Sequence, residues 1–147
     1  MAACSLIDIA RDRLLTIDAA APLEAAAAIM SKPNSDLIVV CDADGSMVGV
    51  LTKRDMFAQI ARRVEGGRTS RVDTIMKREV VSCASHGSVS EIWKLIVSRN
   101  LQRIPMIDHS QKPIGIVYAR DVLLRMLDIV ENEEALLRDY VMNVGYQ

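Results

Sequence analysis

The residues best suited to chemistry lie in a seven-residue pattern that occurs twice. It reads Gly49-Val50-Leu51-Thr52-Lys53-Arg54-Asp55 and then Gly115-Ile116-Val117-Tyr118-Ala119-Arg120-Asp121. The apolar residues after each glycine end a strand, and Thr52 suits the N-cap of a helix that follows. Such a helix turns its unpaired N–H groups and positive dipole end toward the strand edge. Asp55, three residues on, falls one turn into the helix near the same opening. There a carboxylate could accept bonds from the paired hydroxyls of a ribose. The glycine would let backbone approach a flat ligand closely. A plainer reading stays open, in which Thr52 and Asp55 cap the helix reciprocally and bind nothing. Occurrence in two copies favours paired sites about a symmetry axis. Arg54 and Arg120 are equivalent and are candidates for phosphate contact, against the alternative of a solvated helix surface.

Other chemistries are excluded on similar grounds. Cys4, Cys41 and Cys83 are far apart, and an odd count with an adequate core points to reduced thiols in a reducing compartment. His86 and His109 lie at no metal-ligand spacing from a cysteine or each other, and both read as surface residues in turns. The chain lacks the phosphate-loop, dinucleotide, zinc-protease and nucleophile-elbow motifs. No nucleophile–base pair is visible, so the expectation is a non-enzyme with no catalytic cofactor and no metal. With 18 basic and 19 acidic residues the net charge is −1, which offers no general attraction to DNA or anionic lipid. Aromatic residues are only 3%, leaving few platforms for stacking bases. Both facts argue against nucleic acid. Arg62, Arg63, Arg68 and Arg71 form a basic run that suits a solvated loop, or else an RNA or partner contact. No apolar run spans a membrane, and Met1 to Ser5 does not read as a signal peptide, so a soluble cytoplasmic protein is expected.

The elements that must position the pattern repeat with it. The glycines stand 115 − 49 = 66 positions apart, and the same offset pairs Asp42 with Asp108, Ile38 with Ile104 and Val64 with Val130. Each copy reads β-α-β-β-α. The expected opening strands are Leu14 to Ile17 and Val80 to Cys83. Pro22 suits the first position of the first copy's helix, and Ser88 with Glu91 forms a capping box in the second. Strands follow at Leu37 to Cys41 and Met47 to Leu51, then at Arg103 to Ile107 and Ile114 to Val117. The closing helices carry Met56, Phe57, Ile60, Ala61 and Val64 on one side, and Val122, Leu123, Met126, Leu127 and Val130 in the other copy. Trp93, equivalent to Ala27, reads as a core filler. A half of about 60 residues is marginal alone, so the two halves should share a core about a pseudo-two-fold axis. The expected fold class is α+β, with repeats at 6–65 and 72–131 and a polar linker at 66–71. Short helical lead-ins are expected at Leu6 to Ala10 and Val72 to Met76. A separate helix is expected over 132–147, N-capped by Asn132. Its apolar stripe suits packing on the chain's own subunit, with a dimer contact or partner docking as the alternative.

This arrangement resembles the tandem CBS domain, or Bateman module, named after cystathionine β-synthase. The resemblance runs from about Leu6 to Val130 and rests on the repeat, on Leu37-Ile38-Val39-Val40-Cys41-Asp42 and Arg103-Ile104-Pro105-Met106-Ile107-Asp108, and on the G-h-h-T/S-x-x-D signature. It implies adenosine-containing ligands such as AMP, ADP, ATP, NAD or S-adenosylmethionine in two clefts between the repeats. It also implies a homodimer and a regulated partner protein, here with the module standing alone. By the resemblance, Thr52 and Asp55 are the hydroxyl and ribose-carboxylate positions, and Thr16, Leu37 and Ile38 line an adenine slot. The second copy would offer Ser82, Ile104, Pro105, Tyr118, Arg120 and Asp121. Tyr118 departs from the expected Thr or Ser and either fills the cleft or stacks on a base. Arg103 matches a position that meets phosphate, and its counterpart Leu37 does not. The rival readings are a ligand-free dimerisation module and a nucleic-acid-associated regulator.

Overall fold

The structure is a computed structural model, and it describes residues 4–33, 35–62 and 70–145. Residues 63–69, with Arg63, Arg68 and most of the linker, lie outside the described residues, as do Asn34 and the side chain of Arg62. In chain order the elements are α1 (Cys4–Asp12), β1 (Thr16–Asp18), α2 (Leu23–Met30), β2 (Leu37–Cys41), β3 (Met47–Thr52) and α3 (Lys53–Arg62). A short 3-10 turn (Val72–Thr74) leads to β4 (Cys83–Ala84), α4 (Val89–Arg99), β5 (Arg103–Ile107), β6 (Pro113–Tyr118) and α5 (Ala119–Gly145). Two three-stranded sheets result, ordered β1-β2-β3 and β4-β5-β6. In each, the first pair is parallel and the second is an antiparallel hairpin. The α+β architecture is as expected.

Local chemistry explains the shared backbone. Asp42 Oδ1 accepts from the N–H groups of Asp44 and Ser46, and Asp108 Oδ1 does the same for Ser110 and Lys112. Both hairpin turns need one left-handed residue: Gly45 at φ 82° in the first and Gln111 at φ 65° in the second. Glycine takes that conformation freely, whereas a residue with a Cβ loses roughly 1–2 kcal/mol there. Ser88 and Glu91 form the expected capping box at the start of α4.

The opening strands begin later than the apolar pattern suggests. Leu14 and Val80 pack between the two sheets instead of joining them. In the first sheet the Val39 N–H donates to the Leu15 carbonyl at 2.8 Å, which extends the ladder back to Thr16. Its counterpart, Pro105, has no N–H to donate, and β4 is one residue shorter.

The C-terminal region also differs. No helix starts at Asn132, because α5 runs unbroken from Ala119 to Gly145. No glycine or proline interrupts it before its end, and one Asn in a helix interior costs less than about 0.7 kcal/mol. Leu136, Leu137 and Val141 are exposed, so this stretch is not packed on its own subunit. The apolar stripe of the closing helices divides as well. Val122 and Met126 face the core, whereas Phe57 and Leu123, equivalent positions, are 69% and 43% exposed.

The two repeats are held together by exchanged lead-ins. Leu6 and Ala10 of α1 lie in the core of the second repeat with Cys83, Val89, Ile92, Ile96, Ile104, Met106, Val117 and Val122. Val72 and Met76 lie in the core of the first, with Ile17, Leu23, Ala26, Ile38 and Leu51. Each crossing runs over the glycine of the repeated pattern. A Cβ on Gly115 would stand 2.6 Å from the Ala10 carbonyl carbon, and one on Gly49 would stand 2.7 Å from the Lys77 oxygen. The glycines therefore admit the other repeat's lead-in, which corrects the expectation that they admit a flat ligand.

Adding a methyl group at Gly115 should destabilise the chain by about 1–3 kcal/mol, because the atoms in its way are backbone atoms of α1. Urea denaturation of Gly115→Ala measures this, and an unchanged midpoint would refute the close crossing.

Candidate functional site

In the first repeat, Thr52 ends β3 and Asp55 lies in the first turn of α3. Asp55 Oδ2 accepts from the Thr52 N–H and the Thr52 hydroxyl, each at 2.9 Å. The Asp55 N–H donates to Thr52 Oγ1 at 3.2 Å, so the reciprocal cap is present. Lys77 Nζ stands 3.8 Å from the other carboxylate oxygen. Leu37 is the register partner of Thr52, which places Asp36 beside this opening. Asp36 receives Lys53 at 2.9 Å and, from the second repeat, Arg103 at 2.8 Å. The hydrogen bond from Lys53 holds the Asp36 carboxyl below its usual range, aided by the charges of Arg103 and Lys53 and opposed by burial. Arg103 Nε is enclosed and has no hydrogen-bond partner among the described residues.

The equivalent place in the second repeat is built differently. Tyr118 is 6% exposed, and three guanidinium carbons surround its ring. Arg13 lies 4.0 Å from the ring centroid, Arg103 4.9 Å and Arg120 5.4 Å. A cation over an aromatic face is attracted by the ring's quadrupole. Asp121 does not cap its helix in the manner of Asp55. Its two oxygens take Arg13 Nε at 2.8 Å and Nη2 at 3.3 Å, a fork that matches a carboxylate. The bond to Asp121 raises the Arg13 pKa further. Beside Tyr118 opens a depression of about 590 Å³, with Trp93, Ile96 and Leu101 as an apolar wall and Arg103 and Arg120 at its rim.

The remaining expected site residues are dispersed. Thr16 is exposed on β1, while Ile38 and Ile104 are enclosed in separate cores. Leu37 packs with Tyr118 between the sheets, and Pro105 is buried opposite Ile116. Ser82 lines another depression, of about 350 Å³, with His86, Asp108, His109 and Gln111. His86 and His109 are exposed and stack at 5.3 Å. No cluster of three or more metal-ligating residues occurs among the described residues. Burial pushes the Cys83 thiol up to about 12 and also raises Cys41. Sequence reasoning missed Arg13, Asp36 and Lys77. Their counterparts are Glu79, Gln102 and Arg11, so the repeat offered no matched pair to mark them.

A CBS domain profile matches residues 6–62 and again 72–128. The chain belongs to the CBS domain family. This CBS domain pair is 30% identical over 111 residues to inosine-5'-monophosphate dehydrogenase of Thermoplasma acidophilum, covering 75% of this chain and 21% of that enzyme. The chain thus spans about a fifth of the length of the enzyme relatives it matches. Its fold is similar to CBSX2 in complex with AMP, with a TM-score of 0.70, 19% identity and coverage of 84% of this chain and 96% of that one. It is also similar to a CBS domain pair in complex with 5'-methylthioadenosine and S-adenosyl-L-methionine, with a TM-score of 0.64, 22% identity and coverage of 78% and 91%.

The depressed Asp36 pKa has a defined consequence for stability. A carboxyl with a lowered folded pKa stabilises the fold above its unfolded value and loses that contribution as pH falls through the folded value. Stability should therefore fall in acid, below the ordinary carboxylate value of 3.8. Asp36→Asn should lower the urea midpoint at neutral pH, and that loss should shrink as pH falls below 3.8. A loss that stays constant through acid would show that the ion pairs with Lys53 and Arg103 are not its source.

Proposed function

We propose that this CBS domain pair binds an adenine nucleotide of the AMP, ADP, ATP or NAD class and signals its presence to a partner protein. The observation that carries this reading is the convergence at the first repeat's opening. Asp55 stands within 3.8 Å of Lys77, and Arg103 crosses from the second repeat to Asp36 beside Thr52. A carboxylate for ribose hydroxyls thus sits near basic groups suited to phosphate, contributed by both repeats. Similarity to folds described with AMP and with S-adenosyl-L-methionine supports the same ligand class. In this reading Asp55 receives the ribose diol at the oxygen facing Lys77, while Thr52 holds the other. Arg103 exchanges Asp36 for a phosphate oxygen. A ligand touching both repeats shifts their relative orientation by its differential affinity for the two arrangements. No catalytic step is assigned to the chain.

The partner surface in this reading is helical. Phe57 on α3 and Leu123 on α5 are exposed at equivalent positions, and Leu127 and Val130 continue the second face. A second copy of this chain would cover both faces, giving a homodimer.

Two measurements test the reading. A hydrogen bond to a charged group contributes about 1.5–3 kcal/mol, so Asp55→Ala should weaken nucleotide binding by roughly 10–100-fold in calorimetry. Arg103→Gln should narrow the AMP-to-adenosine affinity ratio by several-fold, since adenosine carries no phosphate to lose. Retained affinity in the first variant, or an unchanged ratio in the second, would remove that residue from the site. For the dimer, Phe57→Glu with Leu123→Glu should sediment as a monomer where the wild type sediments as a dimer. A monomeric wild type would refute the assembly.

A further inference from the structure

The two clefts share a backbone but differ in the groups that meet their aspartates, and one of those groups is a residue that no repeat symmetry predicts. Arg13 follows α1, the lead-in that crosses onto the second repeat, and its guanidinium forks onto both oxygens of Asp121. The same group lies 4.0 Å from the centroid of Tyr118. The side chains of Asp121 and Asp55 are almost equally enclosed, at 10% and 12% exposed, so the two sites differ in the partner each carboxylate holds. The first repeat supplies an internal control. The residue equivalent to Arg13 is Glu79, which is exposed and carries the opposite charge. Among the described residues, Asp55 accordingly meets Thr52 and a looser Lys77 at 3.8 Å.

We propose that Arg13 is a built-in occupant of the second cleft, a latch that takes the ribose-binding carboxylate of Asp121 and must be displaced before a nucleotide binds there, whereas the cation nearest Asp55 is a looser Lys77. The inference rests on the adenine-nucleotide reading of the first cleft. It makes the two sites unequal by construction. A ribose reaches Asp121 only after Arg13, which stands just beyond the end of α1, has left it. The helix is anchored by Leu6 and Ala10 in the second core, so the latch ties that cleft to the crossing lead-in. Arg120 remains near the ring when Arg13 is gone, which leaves a cationic group for the phosphate of an arriving nucleotide.

The test is the number of AMP molecules bound per chain, by calorimetry and equilibrium dialysis, for the full chain and for Arg13→Ala. The expected result is one for the wild type and two for the variant, with affinity at the first site unchanged. Two for the wild type overturns the latch, as does one for a folded Arg13→Ala. If removing the partner of Asp121 unfolds that variant, Arg13→Gln keeps a neutral donor there and should again bind two; one would overturn the proposal. Failure of the underlying reading looks different. A wild type that binds none refutes nucleotide binding at the first cleft, and the latch then stands if the variant gains one and falls if it gains none.

Discussion

Every other arrangement in the molecule depends on two backbone crossings. Neither repeat completes its own core; each borrows the segment that precedes the other. The crossings work because a hydrogen atom, not a methyl group, projects from Gly49 and Gly115 toward Met76–Lys77 and Ala10. From that constraint follow the completion of each repeat's own core, the approach of the sheets through Leu37, Val39, Val50, Ile116 and Tyr118, and the delivery of Lys77 and Arg13 to opposite openings. A cation at each opening thus arrives on the chain of the other half.

Against this shared scaffold the two halves have diverged by single side chains. Thr52 against Tyr118, Leu37 against Arg103, Val39 against Pro105 and Glu79 against Arg13 occupy equivalent backbone positions. The first pair exchanges a helix cap for a buried ring, and the last places a cation where the other half has an acid. Asp36 is pulled from both sides, by Lys53 of its own repeat and Arg103 of the other, so the halves are joined by charge as well as by packing. The exchanged lead-ins and this ion triad meet at the same openings, where packing and charge cannot be altered independently.

Much of this was legible in the residues. The 66-residue offset and the alternation of apolar runs placed β2 and β5 to the residue, because their flanking turns are marked by Asp42 and Asp108. The opening strands were less legible, since Leu14 and Val80 are apolar for a reason outside the ladder. The continuous α5 was missed because Asn132 and the two glutamates after it look like a helix start, and only the absence of a breaker argues otherwise. At the site, Thr52 and Asp55 announced themselves as a local pair. Arg13 could not, because its partner Asp121 is 108 positions away and no periodicity links them.

The length of α5 has a mechanical meaning. Its 27 residues make a rod about 40 Å long, and Asp121 lies in the first turn of that rod. The packed portion, near Val122, Met126 and Ile129, acts as a fulcrum, and the exposed portion beyond it as a lever arm. A rotation of roughly 5° at the fulcrum would carry the far tip by about 2 Å, since each residue adds about 1.5 Å of reach. A small tilt of the packed portion would thus appear as a larger displacement at the far end.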